Sequence, residues 1–390
     1  MLKFAASEIY TISHGIIQNG LIKTNEEGKI LSIETFDKLD SDVQFINGII
    51  CPGFINAHCH LELSYLKNKI PKNTGLVEFI KSVQQQRKNT ELNKINSYIE
   101  NADREMYENG IVAVADISNS DLSFNQKNQS KIAYYTFLEV FGFNPADAEK
   151  ILADAILLGK KLNTLPFSIT PHAPYSVSKK LFDELNSKRN PHKTIFTIHN
   201  QESDEENKFY LSKTGDFNSL YSNFGINIDY FQASGSTSLQ TYLPWISSNQ
   251  KLQLVHNTFT DKADIEFASQ TNSNLFWCIC PNANLYIENQ LPNLELLKND
   301  FCLKTIGTDS LASNSQLSIW EEIITLNKHF PSIQLEELLT WATINGAKFL
   351  EMENELGTIE IGKKPGLVGI DFDTNNKKTI AANNKIKRLI

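Results

Sequence analysis

Cysteine is scarce: five in 390 residues, an odd number with no framework spacing, which excludes a disulfide scaffold and suits a reducing compartment. Positive charge is short as well. With 37 Lys+Arg against 45 Asp+Glu the formal net charge is −8, and no basic run interleaves with aromatics, so neither nucleic acid nor an anionic membrane is the expected partner. No apolar run approaches the roughly 18 residues of a membrane span. The first fifteen residues, MLKFAASEIYTISHG, lack the apolar stretch of a signal peptide. These absences lead us to expect a cytoplasmic protein that acts on a small molecule; a homodimer is the assembly we allow for, with nothing in the composition deciding it.

What is present is a repeated grammar of strand and helix. Short apolar runs recur from about residue 49: GIICPGFINAHCH, IVAVADIS, IAYYTFLEV, FSITPHAP, TIFTIHNQES, LQLVHNT, LFWCICPN and LKTIGTDS. Each leads into polar residues and then a helical segment. About eight such runs predict an α/β fold, a (β/α)8 TIM-type barrel, rather than an open sheet of five or six strands. Between the first two runs, Ile95, Ile99, Ala102 and Met106 follow a helical spacing that stops at Gly110. Two connections, about 61–110 and 203–250, leave room for excursions. The second carries Phe209, Tyr210, Phe217, Tyr221, Phe224, Tyr230 and Phe231, either a lid over the substrate or packing for the loop itself. Residues 1–50 plus 352–390 read as a small accessory β-sandwich-like domain built from both termini, with 51–351 as the barrel. Near the end lies a polar DTNNKK tract.

The polar residues at the strand ends form one constellation. On a strand, residues i and i+2 share a face, so His58 and His60 project together while Cys59 faces away. The chain has only eight histidines, and His199 and His256 also stand where strands should end, with His172 close behind one. Asp309 closes the last run. A catalytic zinc or ferrous site needs three or four N and O ligands with one open position, and His58, His60, His199 and Asp309 supply them. Bound water would then ionise near neutrality. Glu202, three residues past His199, is placed to move protons. His256 and Asp309 can hold the nucleophile.

PGFINAHCH, TPHAPYSVS, HNQE, LVHN and GTDSLASN, in that order, resemble the amidohydrolase superfamily, specifically its cytosine, guanine and adenosine-type deaminase or chlorohydrolase branch. The resemblance spans essentially the whole chain. It implies metal ligands at His58, His60, His199 and Asp309, a proton shuttle at Glu202, and a water-orienting role for His256. Binuclear members carry a carboxylated lysine at the end of the fourth strand. Here that strand reads FSITPHAP, so one divalent ion is expected, Zn2+ with Fe2+ as the alternative.

The same resemblance implies a substrate contact at His172. HCHLELS is similar to the motif of aminodeoxyfutalosine deaminases, which puts Glu62 near a 6-aminopurine nucleoside. Glu139, ending the third strand, is a structural or substrate-contacting carboxylate, or a ligand for a second ion. Where related sequences read CPRSN, this one has CPNANLY, so an arginine contact is missing. Cys278 and Cys280, spaced C-x-C, and the four tryptophans read as core. Ser310 and Ser313 have no histidine placed to activate them as nucleophiles. The expected activity is a metal-dependent aminohydrolase releasing ammonia. The rivals are a chlorohydrolase, a cyclic amide hydrolase and a non-catalytic relative.

Overall fold

The computed structural model describes residues 1–88, 92–298, 301–372, 380 and 384–390. The chain opens with β1 (Leu2–Tyr10), β2 (Ile16–Thr24), β3 (Ile30–Thr35) and β4 (Gln44–Pro52). Eight strands follow: β5 (Phe54–Cys59), β6 (Ile111–Ser118), β7 (Ala133–Val140), β8 (Phe167–Pro171), β9 (Ile195–Asn200), β10 (Lys251–His256), β11 (Leu275–Ile279) and β12 (Leu303–Ile306). The last two strands are β13 (Leu367–Asp371) and β14 (Lys385–Arg388).

Strands β5 to β8 pair in parallel, as do β9 to β12. Two seams join these halves. At one, the Thr308 and Asp309 N–H groups both donate to the His58 carbonyl at 3.0 Å. At the other, the His199 N–H donates to the His172 carbonyl at 2.9 Å. The result is a (β/α)8 barrel with an accessory β unit, one strand from each expected run. Covered on both faces, such strands are mainly apolar; all eight residues of β6 are buried. The histidines of these strands stand at or just past their C-terminal ends.

The helix Leu92–Glu108 buries Ile95, Ile99, Ala102 and Met106, each contributing very roughly 1–3 kcal/mol by removal from water. It stops before Gly110, whose φ of 81° is left-handed and where a Cβ would meet Val368 at 2.4 Å. Glycine is needed there on both counts.

The terminal strands form one sheet in the order β14-β13-β4-β1-β2-β3. At its β3 edge the Ile30 N–H donates to the carbonyl of Lys363, in the segment before β13, at 3.0 Å. Phe4, Ile9, Ile22, Ile46 and Leu367 gather in one group, while Ile49, Cys51 and Val368 join the main core. Strand β4 continues to Pro52. The DTNNKK tract lies outside the described residues.

Both excursions fold over the barrel mouth. The first contains the helix Leu76–Lys88, and the second contains Asp204–Ser212, Phe217–Asn223 and Ser238–Tyr242. Leu76 and Val77 pack with Phe209, Phe217, Leu220 and Tyr221. Phe209 and Phe217 are wholly buried, so much of the aromatic density packs the excursion onto the barrel. Tyr221 and Phe224 reach the cavity beneath. Cys278 and Cys280 are buried with Ala57, Val255 and Ala283. Trp277, Trp320 and Trp341 are buried too, while Trp245 packs partly exposed against Phe182.

Candidate active site

Five residues from four strand ends converge. His58 and His60, side by side on β5 and just past it, face each other with Nε2 atoms 3.2 Å apart. Asp309 Oδ1 lies 3.5 Å from His58 Nε2 and 3.4 Å from His60 Nε2. The His199 ring is centred 4.9 Å from that of His58 and 5.5 Å from that of His256. The donor atoms of His58, His199, His256 and Asp309 fall within 4.8 Å of one another. His60 flanks this group, so His256 stands as deep in the constellation as the expected ligands do.

Hydrogen bonds turn the imidazoles toward the centre. His199 Nδ1 lies 2.9 Å from the His172 carbonyl, an acceptor, so Nδ1 carries the proton and Nε2 keeps its lone pair. Asn284 fixes His256 in the same way. Its Nδ2 donates to the His256 carbonyl and to the Thr258 hydroxyl, which leaves Oδ1 to accept from His256 Nδ1 at 2.8 Å. His256 Nε2 is then buried without a partner. Asn284 belongs to CPNANLY, the segment in which the arginine is missing.

Burial holds the pKa values of all five histidines, His58, His60, His172, His199 and His256, below the ordinary imidazole value, so they stand as neutral ligands. For Asp309 burial acts the other way, but the His58 hydrogen bond and the nearby His60 and His256 outweigh it and hold the carboxyl well below the usual range. Ser313 donates to Asp309 Oδ2, which makes it a support for the carboxylate. The Nε2 atoms of His58 and His60, 3.2 Å apart beside a carboxylate, and the unpaired His256 Nε2 are gathered where a cation could be held. The donor set of N and O atoms fits one divalent ion.

Glu202 lies on the cavity floor with Oε1 3.5 Å from His256 Nε2. Burial, with Asp309 and Glu288 adding to it, raises its carboxyl well above the usual range. Glu139 is raised to about 8, chiefly by burial, and accepts from Asn119 Nδ2 at 2.9 Å. Glu139, His172 and His199 form a second cluster. In it His199 Nδ1 is engaged by the His172 carbonyl and His172 Nδ1 pairs with the Ser176 hydroxyl at 2.6 Å.

Glu62 is placed differently from the expectation of a substrate contact. It is buried and does not line the cavity. Its oxygens accept from the N–H groups of Asn119 and Ser120 and from the Ser120 hydroxyl at 2.8–3.2 Å. Arg87, on the helix Leu76–Lys88, lies 3.7 Å away and does line the cavity. Arg87 and Asn119 therefore enter the site unanticipated. Neither carried a sequence signal, since Arg87 sits in an excursion helix and Asn119 lies just past the end of β6, outside any recognisable motif.

The cavity itself has a volume of ≈ 470 Å³. Its floor is polar: His60, His172, His199, Glu202, His256 and Asp309. Its upper walls are apolar, with Leu76, Phe79, Ile80, Phe141, Phe143 and Phe224 among them.

Among curated proteins, the chain is 28% identical over 339 residues to an adenosine deaminase of Helicobacter pylori, covering 84% of this chain and 80% of that protein. A 5'-deoxyadenosine deaminase of Methanobrevibacter smithii is 26% identical over 394 residues, 92% and 80% of the respective chains. An aminodeoxyfutalosine deaminase of Nitratiruptor sp. is 26% identical over 339 residues, 84% and 80% of the chains. Among solved structures, the aminofutalosine deaminase of Helicobacter pylori superposes with a TM-score of 0.79 at 24% identity, covering 97% of this chain and 93% of that one. A zinc-bound adenosine deaminase of Xanthomonas campestris gives 0.75 at 19%, covering 96% and 85%. These superpositions show the fold. The amidohydrolase family model matches residues 49–390, from the strand before the first histidine pair to the end of the chain: the chain belongs to the amidohydrolase family.

Proposed function

We propose that this protein is a mononuclear metal-dependent aminohydrolase that releases ammonia from a 6-aminopurine nucleoside or a closely related N-heterocycle such as aminodeoxyfutalosine. The observation that carries the reading is the buried Glu202 carboxyl beside His256 and Asp309 on the polar floor of the cavity. Relatives named as deaminases of adenosine, 5'-deoxyadenosine and aminodeoxyfutalosine support it.

His58, His60, His199 and Asp309 would hold the ion, Zn2+ in our reading on the strength of the N and O donors, with Fe2+ as the alternative. When bound, the ion supplies a Lewis acid and lowers the pKa of water beside it. Glu202 takes a proton from the attacking water and delivers it to the ring nitrogen, a transfer suited to a carboxyl poised above its ordinary pKa. His256 Nε2, with no other partner, orients the nucleophile together with Asp309. His172 and Glu139 meet the substrate's polar atoms. Glu62 acts from behind, through Arg87 and the Asn119 backbone. The apolar upper walls take a substituent remote from the reacting carbon. The reading includes a catalytic unit of residues 51–351, an accessory unit of 1–50 plus 352–390, and a cytoplasmic location. All five cysteines are free and buried, and no described helix is long and apolar enough to cross a membrane.

An ammonia-release screen over adenosine, 5'-deoxyadenosine, aminodeoxyfutalosine, guanine and cytosine tests the proposal. Turnover of an adenine nucleoside with stoichiometric ammonia supports it. Chloride or a ring-opened product from other heterocycles, with no ammonia, would replace it by a chlorohydrolase or cyclic amide hydrolase.

A further inference from the structure

Gln201, between the end of β9 and Glu202, has a left-handed backbone with φ 43°, which side chains other than glycine seldom adopt. It is fully buried, and each of its polar groups is engaged. Its N–H donates to Glu206 Oε1 at 3.0 Å. Its carbonyl accepts from the Phe259 N–H at 3.0 Å. Its Oε1 accepts from the Thr260 hydroxyl at 2.7 Å. Its Nε2 donates to Asp264 Oδ2 at 2.7 Å and Asn207 Oδ1 at 3.1 Å.

Phe259 and Thr260 lie on the loop that leaves His256, and Asp264 lies on the helix Lys262–Thr271 beyond it. Gln201 thus ties the turn carrying Glu202 to the loop following His256. Glu202 itself approaches His256 Nε2 only at 3.5 Å, longer than an ordinary hydrogen bond. The residue next to it in the chain, Gln201, is the one held on both sides.

We propose that Gln201 is a positioning residue, a cross-brace that fixes the separation between Glu202 and His256 and so holds the proton-transferring carboxyl over the reacting atoms. This rests on the role proposed above for Glu202. A group that moves protons must stay within hydrogen-bond reach of its partner, and a displacement of about 1 Å can cost about a hundredfold in rate.

The test uses the metal-loaded enzyme with 5'-deoxyadenosine, or the screened nucleoside with the highest kcat/KM. Gln201→Met should lower kcat about a hundredfold at unchanged KM and metal content. Thr260→Val, which removes one bond of the brace far from the reacting atoms, should lower kcat less, in the same pattern, and Thr260→Ser should restore it. Should Gln201→Met fail to fold, the Thr260 pair decides. Wild-type kcat in Thr260→Val, a loss confined to KM, or equal impairment in Thr260→Ser overturns the proposal. Glu202→Gln run in parallel separates the two levels. If it keeps full turnover, the proton-transfer reading has failed. If it is inactive while Thr260→Val turns over normally, only the brace has.

Discussion

Gly307 passes so close to His58 that a Cβ built on it would lie 2.7 Å from the histidine Cβ and 2.9 Å from its backbone nitrogen. That approach closes the barrel at the site itself, since the next two N–H groups, of Thr308 and Asp309, both donate to the His58 carbonyl. The seam brings the Asp309 carboxylate against His58 and His60. Gly307→Ala must push these strands apart, and overpacking of this kind costs about 1–3 kcal/mol. We expect a lower Tm together with reduced metal content by elemental analysis. A variant with normal metal content would show that the seam tolerates the methyl group without disturbing the ligands.

Glu202→Gln keeps the size of the side chain and removes its titration. Loss of a general acid/base costs about 10²–10⁴ in rate, so kcat should fall by that order. The metal should stay bound, because Glu202 is not one of the four proposed ligands. Steady-state kinetics with metal analysis on the same sample checks both halves.

His60 and His256 compete for one place in the coordination set. If His58, His60, His199 and Asp309 hold the ion, His60→Ala and His199→Ala should lose metal, while His256→Ala keeps it and loses turnover. The reverse pattern, with metal lost in His256→Ala and kept in His60→Ala, would assign the ligands to the tightest cluster of donor atoms instead.

Glu206 should make stability depend on pH. Its carboxyl is raised to about 8 by burial, with Glu202 nearby adding to the effect and the hydrogen bonds from Ser238 and Gln201 opposing it, and its Oε2 has no partner. The folded state therefore keeps a proton that the unfolded chain releases near its ordinary pKa of about 4.5. Because the folded state binds more protons in that interval, stability falls as pH rises from about 4.5 to about 8. Glu206→Gln should flatten this slope in denaturant melts across that window and raise stability at its upper end. An unchanged slope would place the titration elsewhere.

The barrel was readable because each parallel strand is covered on both faces. The chain must spell each as an apolar run, and the polar residues needed for chemistry fall at its ends. His58, His60, His199, His256 and Asp309 stood out for that reason, and i, i+2 geometry alone put the first two on one face. Glu62 was not readable. Its motif pointed to substrate, but its oxygens are taken by backbone N–H groups that β6 delivers from 57 and 58 residues away, and no periodicity records such a distance.

The order of elements, the split accessory unit and the residue types available for catalysis are local properties, carried by hydrophobic alternation and strand-end chemistry along the chain. Which nitrogen of each histidine faces the centre, whether His60 or His256 stands nearer the other donors, and how Gln201 locks Glu202 depend on hydrogen bonds between distant loops. Those bonds exist only once the two half-barrels have met at His58 and His199, because buried polar groups take whatever partner packing brings within about 3 Å.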